Sequence, residues 1–112
     1  SGVAKQIRQK YPEIFTDYIL AKPYYLGQVI VSRVSTTLQV VSAITQQNYG
    51  RDPNTVYVDY QAIGTVFLSL NNMFPGQTLH IPQIGAGLGN GDWERIQSII
   101  NAVNPNVICC IL

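Results

Sequence analysis

The sequence is poor in charge and in the residues that hold metals. Charged residues make up 12% of the 112 residues, the formal net charge is +1, and there is one histidine. So small a net charge gives no electrostatic case for a nucleic-acid partner. One histidine without a spaced cysteine–histidine cluster argues against a structural zinc site, and no metal or other cofactor is expected.

Long apolar runs and disulfide candidates are also scarce. No apolar stretch reaches the roughly 18 residues of a membrane-spanning helix, so no membrane partner is expected. The only cysteines, Cys109 and Cys110, are adjacent in a strand pattern and point to opposite faces, which disfavours a bond between them. They are interpreted as reduced core residues of a cytoplasmic protein. Hydrophobic residues make up 46% of the chain, enough for one core in a single domain over residues 1–112.

Helical and strand patterns alternate along the chain. Asp59 is predicted to cap a helix, and Asp52-Pro53-Asn54 predicts a turn before it. The predicted helices cover residues 2–10, 12–19, 60–74 and 92–103, and the predicted strands cover 28–34, 37–45, 78–81 and 107–112. Strands that are apolar on both faces, interleaved with helices, predict a three-layer α/β/α fold. The chain opens at a loop-to-helix junction, so the first strand or strands of the sheet are expected to be missing.

The most informative segment is a glycine-rich loop within residues 81–93. A short apolar strand leads into it, four glycines follow at every second position, and helical spacing begins at Trp93. This arrangement presents backbone N–H groups and the positive end of a helix to an anion. It favours a phosphate or diphosphate site over a plain surface turn, because a turn alone does not need four glycines.

Two better-known glycine motifs do not fit this loop. A dinucleotide-binding G-x-G-x-x-G read from Gly85 needs a third glycine where Asn90 stands, and an acidic residue about 20 positions later is missing. A P-loop needs Gly-Lys-Ser/Thr at its end, and Gly91-Asp92-Trp93 does not supply it.

Three separated segments resemble the macro domain family in order and spacing. Residues 1–7 look like the end of its first diphosphate loop, residues 43–46 like the strand end beside the distal ribose, and residues 82–93 like its second loop. The resemblance spans essentially the whole chain. It is closest to the compact subgroup that includes ADP-ribose-1″-phosphate phosphatases and terminal ADP-ribose glutamyl hydrolases. It implies a mixed central sheet and a cleft for ADP-ribose or a derivative.

The resemblance also implies which residues contact this ligand. The implied set is Gly2, Val3 and Ala4 at one phosphate, Ile84, Gly85, Ala86, Gly87 and Leu88 around the other phosphate and the distal ribose, Thr45 and Gln46 beside that ribose, and Leu112 over the adenine. Gly89 is also included among the ligand-binding residues. Two positions depart from the glutamyl hydrolases. Those enzymes have a lysine where this chain has Gln46 and an aspartate where it has Gly89. These departures argue against the lysine-based removal of ADP-ribose from glutamate.

Two residues are candidates for catalysis. Asp92 is the carboxylate nearest the proposed phosphates and either caps the last helix or orients a water molecule as a base. His80 is either a half-buried structural histidine or a general acid or base at the rim of the cleft.

Three functions are compatible with these residues. The leading hypothesis is a hydrolase that acts on an ADP-ribose derivative, such as a phosphatase for ADP-ribose 1″-phosphate. The alternatives are a reader module that binds ADP-ribose without turnover, and an assembly fragment that has lost the ligand. In the last case, an upstream segment or a second chain would complete the sheet.

Overall fold

The part of the chain that the computed structural model describes contains four helices and four strands. That part comprises residues 2–48, 50–82, 84, 89–104 and 106–109, with the backbone alone at 2–4 and 109. The elements are α1 (Gly2–Lys10), α2 (Pro12–Leu20), β1 (Val29–Arg33), β2 (Gln39–Ala43), α3 (Tyr60–Met73), β3 (Leu79–Ile81), α4 (Trp93–Val103) and β4 (Val107–Cys109). Each one overlaps an element that the sequence predicts. Over these residues, no helix combines the length and the apolar character needed to cross a membrane.

The strands form two pairs of opposite kind. β1 and β2 are antiparallel, with Val31 opposite Val41. β3 and β4 are parallel, with His80 opposite Ile108. Helix α4 connects β3 to β4, as a parallel pair requires a crossover connection. The described strands therefore include both directions, as expected for a mixed α/β arrangement.

Helices α3 and α4 carry the core, and both strand pairs pack against it. The buried core residues are Val58, Ile63, Val66, Phe67, Leu70, Ile96 and Ile100. Half-buried strand residues that pack against them are Val29, Val41, Leu79, Ile81 and Val107. On α3 the buried positions recur at intervals of three and four, which confirms the amphipathic helix that the sequence predicts.

Helix α2 contributes the third layer. Neighbouring side chains of a strand point to opposite faces of the sheet. On β1, Val29 packs against the α3–α4 core, whereas Ile30 is buried on the other face. Helix α2 contacts both β1 and β2 and buries Ile14. The hairpin therefore lies between two helical layers, as predicted.

Both core helices begin at a capping aspartate. The Asp59 Oδ1 atom accepts a hydrogen bond from the Ala62 N–H at 2.9 Å. The Asp92 Oδ1 atom accepts one from the Glu94 N–H at 3.1 Å. Each carboxylate satisfies a backbone donor that lacks a partner within its helix. The predicted cap of α3 and the capping interpretation of Asp92 are both confirmed.

Candidate functional site

The end of the glycine loop is fixed to the segment that precedes α3. The Gly89 carbonyl oxygen accepts hydrogen bonds from the N–H groups of Tyr57 at 2.9 Å and Val58 at 3.1 Å. Gly89 is buried, and Val58 belongs to the core. These bonds therefore set the position of the loop end relative to α3 and α4.

Asn90 makes a second connection to the same segment. Its Nδ2 atom donates to the carbonyl oxygens of Asp52 at 3.0 Å and Thr55 at 2.8 Å. Its backbone is in the left-handed region, with φ of 57°. Asparagine adopts this region more readily than most residues with a Cβ.

The segment that Asn90 contacts is folded around the carboxylate of Asp52. The Asn54 N–H donates to Oδ1 at 2.9 Å, and the Thr55 hydroxyl donates to Oδ2 at 2.9 Å. Both bonds favour the ionised carboxylate, so the Asn54 N–H and, to a smaller degree, the Thr55 hydroxyl lower the pKa of Asp52. This is the turn that Asp52-Pro53-Asn54 predicts.

The side chain of Tyr57 contacts two earlier residues of the same segment, Gly50 and Asp52. Its hydroxyl oxygen accepts a hydrogen bond from the Asp52 N–H at 3.2 Å. Its ring also lies against the backbone of Gly50, where an added Cβ would collide with the hydroxyl end of the ring. Gly50 therefore permits a close approach between backbone and ring.

The preceding contacts form one hydrogen-bonded cluster, which comprises Gly89, Asn90 and the segment 52–58. The residues that follow β2 also belong to it. Gln46 forms an isolated antiparallel bridge with Val58, and the Thr45 carbonyl oxygen accepts from the Asp59 N–H at 2.7 Å. The Gln46 side-chain amide donates to the Asn48 carbonyl oxygen at 3.1 Å. The fold thus brings the predicted Thr45–Gln46 strand end next to the predicted second loop.

The N-termini of α3 and α4 lie side by side at this cluster. The Asp92 N–H donates to the Tyr60 hydroxyl at 3.0 Å. The Arg95 guanidinium carbon lies 3.9 Å from the centre of the Tyr60 ring. Two helix N-termini, each capped by an aspartate, and one guanidinium group therefore lie beside the end of the glycine loop.

The two candidate catalytic residues occupy different surroundings. Asp92 is exposed at the start of α4, and only its Oδ1 atom has a hydrogen-bond partner among the described residues. His80 is exposed on β3, while Leu79 and Ile81 point into the core. The two side chains are not hydrogen-bonded to each other. Of these two residues, Asp92 belongs to the hydrogen-bonded cluster and His80 does not.

The structure describes some of the other predicted ligand residues. Gly2, Val3 and Ala4 form the first turn of α1, which packs against α2. Ile84 is half-buried against the core. Gly85, Ala86, Gly87, Leu88 and Leu112 lie outside the described residues.

A small cavity lies between α4 and the β3–β4 pair. Its volume is about 40 Å³, far below the several hundred Å³ typical of a small-molecule site. Its lining residues are Ile81, Trp93, Gln97, Ile100, Asn101 and Val107. We therefore place the candidate site at the loop cluster and not at this cavity.

Solved structures with the same arrangement decide the fold. A macrodomain of DarG from Mycobacterium tuberculosis is 21% identical, with a TM-score of 0.76, over 99% of this chain and 78% of that one. A macrodomain protein from Streptomyces coelicolor is 21% identical, with a TM-score of 0.74, over 99% of this chain and 76% of that one. The chain has the macrodomain fold.

A further solved structure is more similar to this chain in shape than these two macrodomains are. It is a protein of unknown function from Bacteroides thetaiotaomicron, 24% identical, with a TM-score of 0.86, over 100% of this chain and 78% of that one. No family model matches the sequence, and no curated protein matches it either. The similarity to known proteins is therefore established at the level of the macrodomain fold.

Asn90, Tyr57 and Tyr60 are among the residues of this cluster that were not predicted from the sequence. Asn90 served there only to exclude a dinucleotide motif, while Tyr57 and Tyr60 were not singled out. An asparagine inside a glycine run is a usable signal, because it marks a backbone position in the left-handed region where a side chain is also needed. The tyrosines carry no comparable local signal.

Proposed function

We propose that this macrodomain-fold chain binds ADP-ribose or a derivative of it. The single observation that supports this most is the cluster in which the glycine-loop end, the Thr45–Gln46 strand end and the starts of α3 and α4 are hydrogen-bonded together. Diphosphates bind well where backbone N–H groups and helix N-termini converge. The loop residues Gly85 to Leu88, together with Gly2 to Ala4, are proposed to supply those N–H groups.

We further propose a hydrolase that acts on ADP-ribose 1″-phosphate. The Asp92 carboxylate caps α4 with one oxygen and has the other available to orient a water molecule. The water would attack phosphorus and give its proton to this carboxylate while the bond from phosphorus to the ribose oxygen breaks. Loop N–H groups would stabilise the negative charge on the phosphoryl oxygens. The side-chain amide of Gln46 offers no nucleophilic amine, which fits a mechanism without a covalent lysine adduct.

The binding half is tested by calorimetric titration of ADP-ribose, with AMP and ribose 5-phosphate as controls. Micromolar binding that requires the whole ligand is expected. No binding of any of the three ligands would reject the proposal.

The catalytic half is tested by phosphate release from ADP-ribose 1″-phosphate. Asparagine is also a good N-cap, so Asp92→Asn removes the carboxylate and keeps the cap. The matched control is Asp59→Asn at the start of α3. A rate loss of about 100-fold in Asp92→Asn alone is expected for a base. Equal rates in wild type, Asp92→Asn and His80→Ala would reject this mechanism.

A reader module without turnover is the second candidate. It is favoured by Gln46 and Gly89, which stand where the related hydrolases have a lysine and an aspartate. Binding of ADP-ribose with no turnover of phosphate, ester or acetyl derivatives would establish it.

A further strand that completes the sheet is also proposed. The β1–β2 and β3–β4 pairs pack against one core, yet they form separate two-stranded sheets in the described residues. Open strand edges readily pair with another strand. Sedimentation velocity over a range of concentrations tests the second-chain form of this proposal, because a chain that remains monomeric would exclude self-pairing.

A further inference from the structure

Asn90 joins two segments that are distant in sequence. The two carbonyl oxygens that accept from its Nδ2 atom belong to residues 38 and 35 positions earlier in the chain. Next to it, the Gly89 carbonyl accepts from Tyr57 and Val58. The segment 52–58 and the end of the glycine loop are thus hydrogen-bonded through adjacent residues.

The backbone at this position does not by itself explain an asparagine. Among the described residues, Asn90 is the one non-glycine residue with positive φ. Glycine adopts that conformation at lower cost and already occupies positions 89 and 91. What glycine cannot supply is the side-chain amide that donates to both carbonyls. The asparagine is therefore explained by those two hydrogen bonds.

We infer that Asn90 is a positioning residue that holds the end of the glycine loop, at Gly89 and Asn90, against the segment 52–58 in the position that ligand binding requires. This inference rests on the proposed binding of ADP-ribose. Asn90 acts through the loop and not on the ligand, because its side-chain amide fixes the loop end at Gly89 and Asn90 to the segment 52–58. A loop fixed before binding loses less conformational entropy when the ligand arrives.

Two substitutions separate the amide from the backbone conformation. Asn90→Gly keeps the left-handed conformation accessible and removes both hydrogen bonds. Asn90→Asp keeps the shape but directs a negative carboxylate at two carbonyl oxygens, which repel it. Protonation of that carboxylate restores one donor. The affinity of Asn90→Asp should therefore recover towards low pH, whereas that of Asn90→Gly should not.

The test is calorimetric titration of ADP-ribose into wild type and both variants. We expect about tenfold weaker binding for Asn90→Gly and a greater loss for Asn90→Asp at neutral pH. The control Asn72→Asp changes the net charge equally at an exposed site of α3 and should bind like wild type. Equal affinity in wild type and both Asn90 variants would overturn the inference.

Hydrogen exchange separates this inference from the proposed function. The Tyr57 and Val58 amides, which donate to Gly89, should exchange faster in both variants than in wild type at unchanged thermal stability. If wild type does not bind ADP-ribose, the proposed function fails, yet faster exchange would still support the role of Asn90 in holding the loop. Unchanged exchange would overturn that role. If Asn90→Asp does not fold, Asn90→Gly decides both measurements.

Discussion

Helices α3 and α4 begin with the same cap but are held in different ways. Asp59 is half-buried, and its N–H donates to the Thr45 carbonyl beyond the end of β2. Asp92 is exposed, and its N–H donates to the hydroxyl of Tyr60 at the start of α3. The start of α3 is therefore joined to the sheet through the backbone, whereas the start of α4 is attached to α3 through one side chain. The same capping motif can thus stabilise one site and leave a carboxylate accessible at the other.

The largest expected effect is at the start of α3. Asp59→Ala removes the acceptor for the Ala62 N–H in a half-buried position. We expect it to lower the free energy of unfolding by about 1–2 kcal/mol, at the upper end for capping residues. Urea denaturation measures this change, and a loss no greater than that of Asp92→Ala would contradict the comparison.

The corresponding change at α4 should be smaller. Asp92→Ala leaves the Glu94 N–H free to bond to water, because this site is exposed. We expect a loss of about 0.5–1 kcal/mol in the free energy of unfolding. The same denaturation experiment applies, with Asp92→Asn as the control that should remain close to wild type.

The contact between the two helix starts can be removed alone. Tyr60→Phe deletes the hydroxyl that accepts from the Asp92 N–H and keeps the ring beneath Arg95. We expect a loss of about 0.5 kcal/mol, since water can replace the acceptor. Faster hydrogen exchange of the Asp92 amide would locate the effect. Unchanged exchange would show that the hydroxyl does not hold the start of α4.

The smallest effect concerns the loop that both helix starts adjoin. The pKa of Asp52 is lowered in the folded chain, so its ionised form stabilises the turn above the ordinary carboxyl range. This contribution is lost as the pH falls through the lowered pKa. An NMR titration of the Asp52 carboxyl carbon should show its midpoint below about 3.9. Thr55→Val should raise that midpoint, and an unchanged value would contradict the role of the Thr55 hydroxyl.

Local sequence signals were sufficient for the elements and the caps. The interval of three and four between Ile63, Val66, Phe67 and Leu70 predicts α3, and Asp59 predicts its start, because both signals lie within one helix. The three-layer arrangement follows from strands that are apolar on both faces. These predictions are confirmed.

The contacts between distant segments could not be predicted in this way. Whether Asn90 lies next to Asp52 and Thr55 depends on how α3 and α4 pack, and no local pattern records that. The contacts of the tyrosines could not be predicted either, since the Tyr60 hydroxyl accepts a hydrogen bond from the Asp92 N–H, 32 positions later. The ligand and catalytic residues named from the resemblance stay predictions.

The contact between Gly50 and Tyr57 limits which residues position 50 can accept. Its surface position would ordinarily permit almost any residue, yet the ring of Tyr57 occupies the space of its Cβ. A scan of all substitutions should therefore find position 50 intolerant, while its exposed neighbour Arg51 accepts most replacements. Tyr57→Ala should relieve that intolerance, so position 50 is expected to accept other residues only when the ring at position 57 is absent.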